Sequence, residues 1–320
     1  MHRFTCTHDP DLGLDIVASP RWRLVVRRRG AEVIGLRRRD PRGDVGLIWR
    51  DGEPGDPPRF WKGHATLLFP IVGGLHDHRS RTTDGIPVSF AGLHGFVRHR
   101  VLERVVAEPR GDAFVLGYRL AADAETRAMY PWDFVFEVTY TLTDAGLATD
   151  IAVASRDARP MPYQVGWHPG FALPFRAGTG SKAGCHLNLP PRPLTFLDND
   201  DDCKLTGTAR VVDGRGDFAF TERGLDRTYM LDLSDVPPAE RTVELLDPDR
   251  AFGVRVTFPD YPHLGLWSDA DAPFLCIEPW QGMDDRAVQE PFDRKFGVAL
   301  LAPGATETRR AAVAVIDRRP

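Results

Sequence analysis

The chain has 320 residues, of which 42% are hydrophobic and 27% charged, an ordinary globular balance. A chain of this length makes one large β domain or two ordinary ones, and its core can hold a buried site without disulfide staples. A formal net charge of −4 excludes recruitment of nucleic acid or an anionic membrane by bulk electrostatics. The four cysteines, Cys6, Cys185, Cys203 and Cys276, are scattered without a C-x-x-C pair, which reads as free thiols in a reducing compartment. No apolar run approaches the roughly 20 residues of a membrane span. Met1 to Val17 alternates without the apolar region of a signal peptide, so the expected location is cytoplasmic.

In chain order, β-rich runs fall at Leu24–Val26, Val33–Leu36 and Phe114–Leu120, followed by a short helical turn around Ala121 to Arg127. The clearest strand comes next. Phe134, Phe136, Val138, Tyr140 and Leu142 share one face, while Val135, Glu137, Thr139 and Thr141 share the other. Further runs follow at Ile151–Ala154, Tyr229–Leu233, Phe252–Phe258, Phe274–Ile277 and Ala312–Ile316. Turn clusters rich in Gly, Pro and Asp separate them, at Asp51 to Pro58 and Asp213 to Asp217. Many strands without interleaved helices predict an all-β sandwich or barrel and exclude a doubly wound fold. There is no internal repeat and no linker, so residues 1–320 read as a single domain.

Three local features read as surface structure. Arg27–Arg29 and Arg37–Arg39 flank Val33-Ile34, which predicts a hairpin with two basic tips. The acidic run Asp198 to Asp202 lacks the spaced ligand pattern of a calcium loop. His76-Asp77-His78 would point both imidazoles to one side of a strand, but no third ligand follows at a metal-site spacing, so no metal is expected.

Three segments place ionisable groups among apolar residues. In Leu93-His94-Gly95-Phe96-Val97-Arg98, the glycine permits close approach and His94 and Arg98 flank it. In Tyr163 to Phe171, His168 follows an aromatic-apolar strand and precedes Pro169, which predicts that it sits where the strand stops. In Phe274 to Trp280, Glu278 closes an apolar run before Pro279, where desolvation would raise its basicity.

Six segments, in order, resemble the aldose 1-epimerase (galactose mutarotase) family, particularly its shorter bacterial branch. They are His94–Arg98, Met129-Tyr130-Pro131-Trp132-Asp133-Phe134, and Met161-Pro162 through His168-Pro169-Gly170-Phe171. Pro262 to Ser268, Cys276–Trp280 and Gly297 to Gly304 complete the set. The longer mutarotases carry N-x-x-H-G-G where this chain has Gly92 to Phe96, and Gly170 stands at the aromatic position of H-P-Y-F.

The resemblance implies a galactose-mutarotase-like super-sandwich of large antiparallel sheets, with an aldose bound in a cleft on one sheet. It implies that Glu278 is the base at the C1 hydroxyl, His168 the acid at the ring oxygen, and His94 a second donor. Arg98 and, by a looser match in Leu225-Asp226-Arg227, Asp226 become sugar-binding residues. Trp61, Trp167, Trp267 and Trp280 are candidates for the aromatic wall that sugar C–H faces require. Such chemistry calls for no cofactor. The rival readings are a hexose-6-phosphate 1-epimerase, with Arg98 and Arg79 or Lys62 on the phosphate, a non-catalytic carbohydrate-binding domain, and a metal enzyme built on His76 and His78.

Overall fold

The computed structural model describes residues 3–40, 42–51, 59–200, 204–215, 217–218, 228–269 and 271–319. Alternation of apolar and polar residues produces strands with one buried face, and three large antiparallel sheets result. Phe134–Leu142 shows why: its five predicted inward residues are at most 1% exposed, and the residues between them are partly exposed. Phe252–Thr257 behaves alike, with Phe252, Val254 and Val256 buried and Arg255 exposed. The predicted helical turn is a short helix, Ala124–Met129, opened by a reciprocal cap between Asp123 and Thr126.

Nine strands form the largest sheet, with Phe134–Leu142 between Ala113–Ala121 and Gly146–Ser155. Five strands near the N-terminus form another, from Thr5–Asp9 to Val45–Gly46. The third has seven strands in the order Leu205–Asp213, Pro193–Asn199, Tyr229–Asp232, His263–Trp267, Phe274–Gln281, Val165–Ala172 and Ala65–Leu68. One continuous apolar core draws on all three, including Trp22 and Leu24, Phe136 and Tyr140, and Leu67, Trp167 and Ile277.

The structure corrects several local expectations. Pro169 does not end its strand, because Val165–Ala172 continues through it, with Pro169 opposite Ala65. Glu278 is likewise interior to Phe274–Gln281. Between these two neighbours the pairing holds at Val165–Gly166 and Gly170–Ala172 and lapses between, where Pro169 and Pro279 have no N–H to give. The sheet is therefore loosened at the level of His168 and Glu278. His76–His78 is a tight 3-10 turn rather than a strand, with positive φ at Asp77 and His78, and His76 Nε2 lies 2.8 Å from the Arg286 carbonyl. Arg27 and Arg38 lie at opposite ends of the paired strands Trp22–Arg27 and Glu32–Arg38, so only the first arginine run sits near the turn.

Candidate active site

The seven-stranded sheet presents its second face to a cleft of about 340 Å³. Period-2 alternation decides which residues reach it. On Val165–Ala172 the even residues Gly166, His168 and Gly170 face the cleft, while Val165, Trp167 and Phe171 enter the core. On Phe274–Gln281 the cleft side carries Cys276, Glu278 and Trp280, and Leu275 and Ile277 enter the core. The register pairs Gly166 with Trp280 and Gly170 with Cys276, so His168 and Glu278 face one another across the loosened stretch.

Nε2 of His168 lies 3.0 Å from Oε2 of Glu278, and the two side chains are 8% and 1% exposed. The separation is that of an ion pair. His168 Nδ1 and Glu278 Oε2 are nonetheless buried without a hydrogen-bond partner. Buried polar atoms are normally satisfied, so this pair keeps capacity for a ligand. Trp61 stacks on the His168 imidazole at 4.8 Å between ring centres, and Trp267 meets Trp61 edge-on at 5.6 Å. A side chain at Gly170 would run into Trp61 at 3.0 Å. The aromatic surface absent from position 170 is thus supplied from a distant segment.

His94 approaches from a turn rather than a strand, with φ of +67°. It is clasped to Gly73 twice: its own N–H donates to the Gly73 carbonyl at 2.7 Å, and the Gly73 N–H donates to its Nδ1 at 3.0 Å. An Nδ1 that accepts a hydrogen bond leaves the proton on Nε2, which makes His94 a neutral donor. Burial, followed by the charges of His168 and Arg98, holds its pKa well below the ordinary histidine value. Its ring centre is 5.5 Å from that of His168. Gly95 must be glycine, because a Cβ there would sit 2.2 Å from the Phe69 carbonyl oxygen.

Trp280 lies across the sheet between Gly166 and Gly265, each of which would clash with it at 2.7 Å if it carried a Cβ. Arg98 lines the same cleft, as expected, with Leu93, Thr228 and Trp267. Two expectations differ. Trp167 is fully buried in the core on the opposite face of its strand, so it cannot wall the ligand. Asp226 lies outside the described residues. Asp284 also lines the cleft. Nothing in its local sequence, Gly282-Met283-Asp284-Asp285, separates it from its neighbour, which instead pairs with Lys295 at 3.0 Å.

Among the described residues, one group of three ligand-type side chains lies close together: His168, Cys276 and Glu278, with ligand atoms within 4.8 Å of one another. Burial and the adjacent Glu278 push the Cys276 thiol well above its usual pKa, so it holds its proton. His76 and His78 belong to no such group among the described residues. Cys6, Cys185 and Cys276 form no disulfide. No helix among the described residues is long and apolar enough to cross a membrane.

Known proteins of similar sequence and shape are consistent with this geometry. Residues 82–313 match the family model of aldose 1-epimerase. The chromosomally encoded protein LacX of Lactococcus lactis subsp. lactis is 30% identical over 239 residues, 71% of this chain and 76% of that protein. A galactose mutarotase related enzyme from Lactobacillus acidophilus superposes with a TM-score of 0.82 at 25% identity, covering 94% of this chain and 97% of that one. A galactose mutarotase-like protein from Lactobacillus casei shares the fold, with a TM-score of 0.81, 24% identity and coverage of 95% and 100%. The matched stretch contains His94, His168 and Glu278, and covers most of the chain: this protein belongs to the aldose 1-epimerase family.

Proposed function

We propose that the protein is an aldose 1-epimerase that interconverts the α and β anomers of an unphosphorylated aldose. The observation that carries this reading is the His168–Glu278 pair, 3.0 Å apart at the floor of an aromatic-walled cleft. The anomeric hydroxyl and ring oxygen share one carbon, so an acid and a base must stand side by side to serve both.

In the proposed reaction, the Glu278 carboxylate takes the proton from O1 as the His168 imidazolium protonates O5. The C1–O5 bond breaks and C1–O1 becomes a carbonyl. Rotation about C1–C2 followed by reversal of both transfers yields the other anomer. His94 Nε2–H donates to a sugar oxygen beside His168, and its neutral state avoids a second positive charge there. Trp61, Trp267 and Trp280 supply the apolar faces that sugars stack on. The cleft volume falls in the range of small-molecule sites, roughly 300–1,000 Å³, and suits a single sugar ring.

A second reading, a hexose-6-phosphate epimerase, draws on Arg98 in the cleft. Its proposed helpers do not join it: Arg79 lines a separate groove with Ser80 and Arg81, and Lys62 is exposed outside the cleft lining. Among the described residues no lysine or second arginine lines the cleft with Arg98, which favours free sugars. Anomer exchange followed by NMR, across free and 6-phosphorylated aldoses, separates the readings. Exchange of free aldoses above the spontaneous rate supports the first, exchange of phosphorylated ones alone supports the second, and no exchange leaves a sugar-binding protein.

A further inference from the structure

The proposed acid–base exchange engages His94, His168 and Glu278, yet among the described residues one more carboxyl group lines the cleft. Asp284 lies six residues beyond Glu278, where the chain leaves the Phe274–Gln281 strand. It is 3% exposed. Its Oδ1 accepts the Gly74 N–H at 2.8 Å, next to the Gly73 peptide that clasps His94. Gly73 makes room for it, since a Cβ there would fall 1.8 Å from Oδ1. The segment that orients His94 therefore also orients Asp284.

The groups packed around Asp284 are Lys295, Asp285, Glu278 and, through the shared glycine turn, His94. Lys295 attracts Asp284 through space, but its direct ion pair is with Asp285. That ammonium is 1% exposed, pairs with Asp285 at 3.0 Å, and donates to the Met283 carbonyl at 2.6 Å. Two aspartates thus share one buried lysine, and Asp284 is the one left facing the cleft. A buried carboxyl without its own cation favours the neutral form, and burial pushes Asp284 up to about 7. In that form it offers both an O–H donor and an acceptor oxygen, the pair of functions that matches a sugar hydroxyl.

We propose that Asp284 is a substrate-binding residue that recognises a ring hydroxyl away from the anomeric carbon and sets which aldoses the cleft accepts. This rests on the epimerase reading, which commits the C1 hydroxyl and ring oxygen to Glu278 and His168 and leaves the remaining hydroxyls to other partners. A site built to pair with a hydroxyl discriminates strongly against the sugar that lacks it, because its own polar groups are then left unpaired.

The test measures anomer exchange for wild type, Asp284→Asn and Asp284→Ala on an aldose and its monodeoxy analogues. Sugar binding is followed in parallel by tryptophan fluorescence. Asp284→Ala is expected to raise KM roughly 10–100-fold with kcat within about threefold. One deoxy sugar should bind wild type and Asp284→Ala equally, which identifies the hydroxyl read. Asp284→Asn keeps a donor and an acceptor, and should lose less than Asp284→Ala. An equal rise in KM for every deoxy sugar, or a fall confined to kcat, overturns the assignment. Wild type that binds sugars without exchanging anomers would defeat the epimerase reading while the fluorescence series still decides Asp284. Should Asp284→Ala fail to fold, Asp284→Leu, of similar size but with neither donor nor acceptor, decides the matter with the same sugars: an unchanged sugar preference overturns the proposal.

Discussion

His168 Nε2 and Glu278 Oε2 meet at 3.0 Å across two neighbouring strands, at the level where their ladder lapses beside Pro169 and Pro279. Glu278→Gln keeps the size of the side chain but removes its capacity to accept a proton. The amide fills the same space and still accepts and donates hydrogen bonds, so the protein should fold. Exchange is expected to fall roughly 10²–10⁴-fold, mostly in kcat. His168→Asn should lose a similar amount, and the double variant much less than the sum. A folded Glu278→Gln protein that equilibrates anomers at the wild-type rate would remove Glu278 as base.

Trp61 covers His168 and the space beside Gly170, so it fixes that imidazole as well as one wall of the cleft. Aromatic stacking of this kind contributes about 0.5–1.5 kcal/mol beyond area burial. Trp61→Ala should therefore reduce kcat/KM at least roughly three- to tenfold, and Trp61→Phe should recover most of it. Steady-state kinetics on a free aldose provide the check: Trp61→Ala within about twofold of wild type would make the stack incidental.

Gly95→Ala places a methyl 2.2 Å from the Phe69 carbonyl oxygen at a residue with φ of +69°. Relief requires the turn to move, and His94 moves with it. A loss of more than about 1 kcal/mol in urea unfolding is expected, together with reduced exchange in whatever fraction remains folded. Wild-type stability in the variant would mean that the turn relaxes without cost.

Stability should depend on pH through two buried neutral histidines, His94 and His263. Both folded-state values are lowered by burial, that of His263 to about 4. The unfolded chain therefore binds protons first as pH falls, so their contribution is complete above about pH 6.5 and is lost as pH drops toward 4. For His263 the span corresponds to about 3 kcal/mol. Urea unfolding at about pH 7.5 and about pH 4.5, on either side of the unfolded histidine value, should show a smaller drop in His263→Asn than in wild type. Identical drops would mean that His263 is not buried neutral.

Much of this protein is legible in its sequence. Alternation along Phe134–Leu142 and Phe252–Phe258 identifies the strands and their buried faces, because a pleated strand turns successive side chains to opposite sides. The motifs around His94, His168 and Glu278 mark the ionisable residues of the cleft, and the tertiary structure brings them together. What the sequence misjudges is local geometry around proline: Pro169 and Pro279 interrupt a ladder rather than end a strand, since flanking hydrogen bonds hold both strands in place.

Only the tertiary structure decides which side chains share the cleft. Trp167 and His168 are adjacent in the chain and fall on opposite faces of the sheet. Asp284 and Asp285 are also adjacent, and Lys295 takes one while the cleft takes the other. Trp61 reaches His168 from a segment far away in the chain to cover a glycine. The physical reason is the same in each case: periodicity assigns a residue to a face, but whether that face meets core, cation or cleft depends on elements distant in sequence that pack against it.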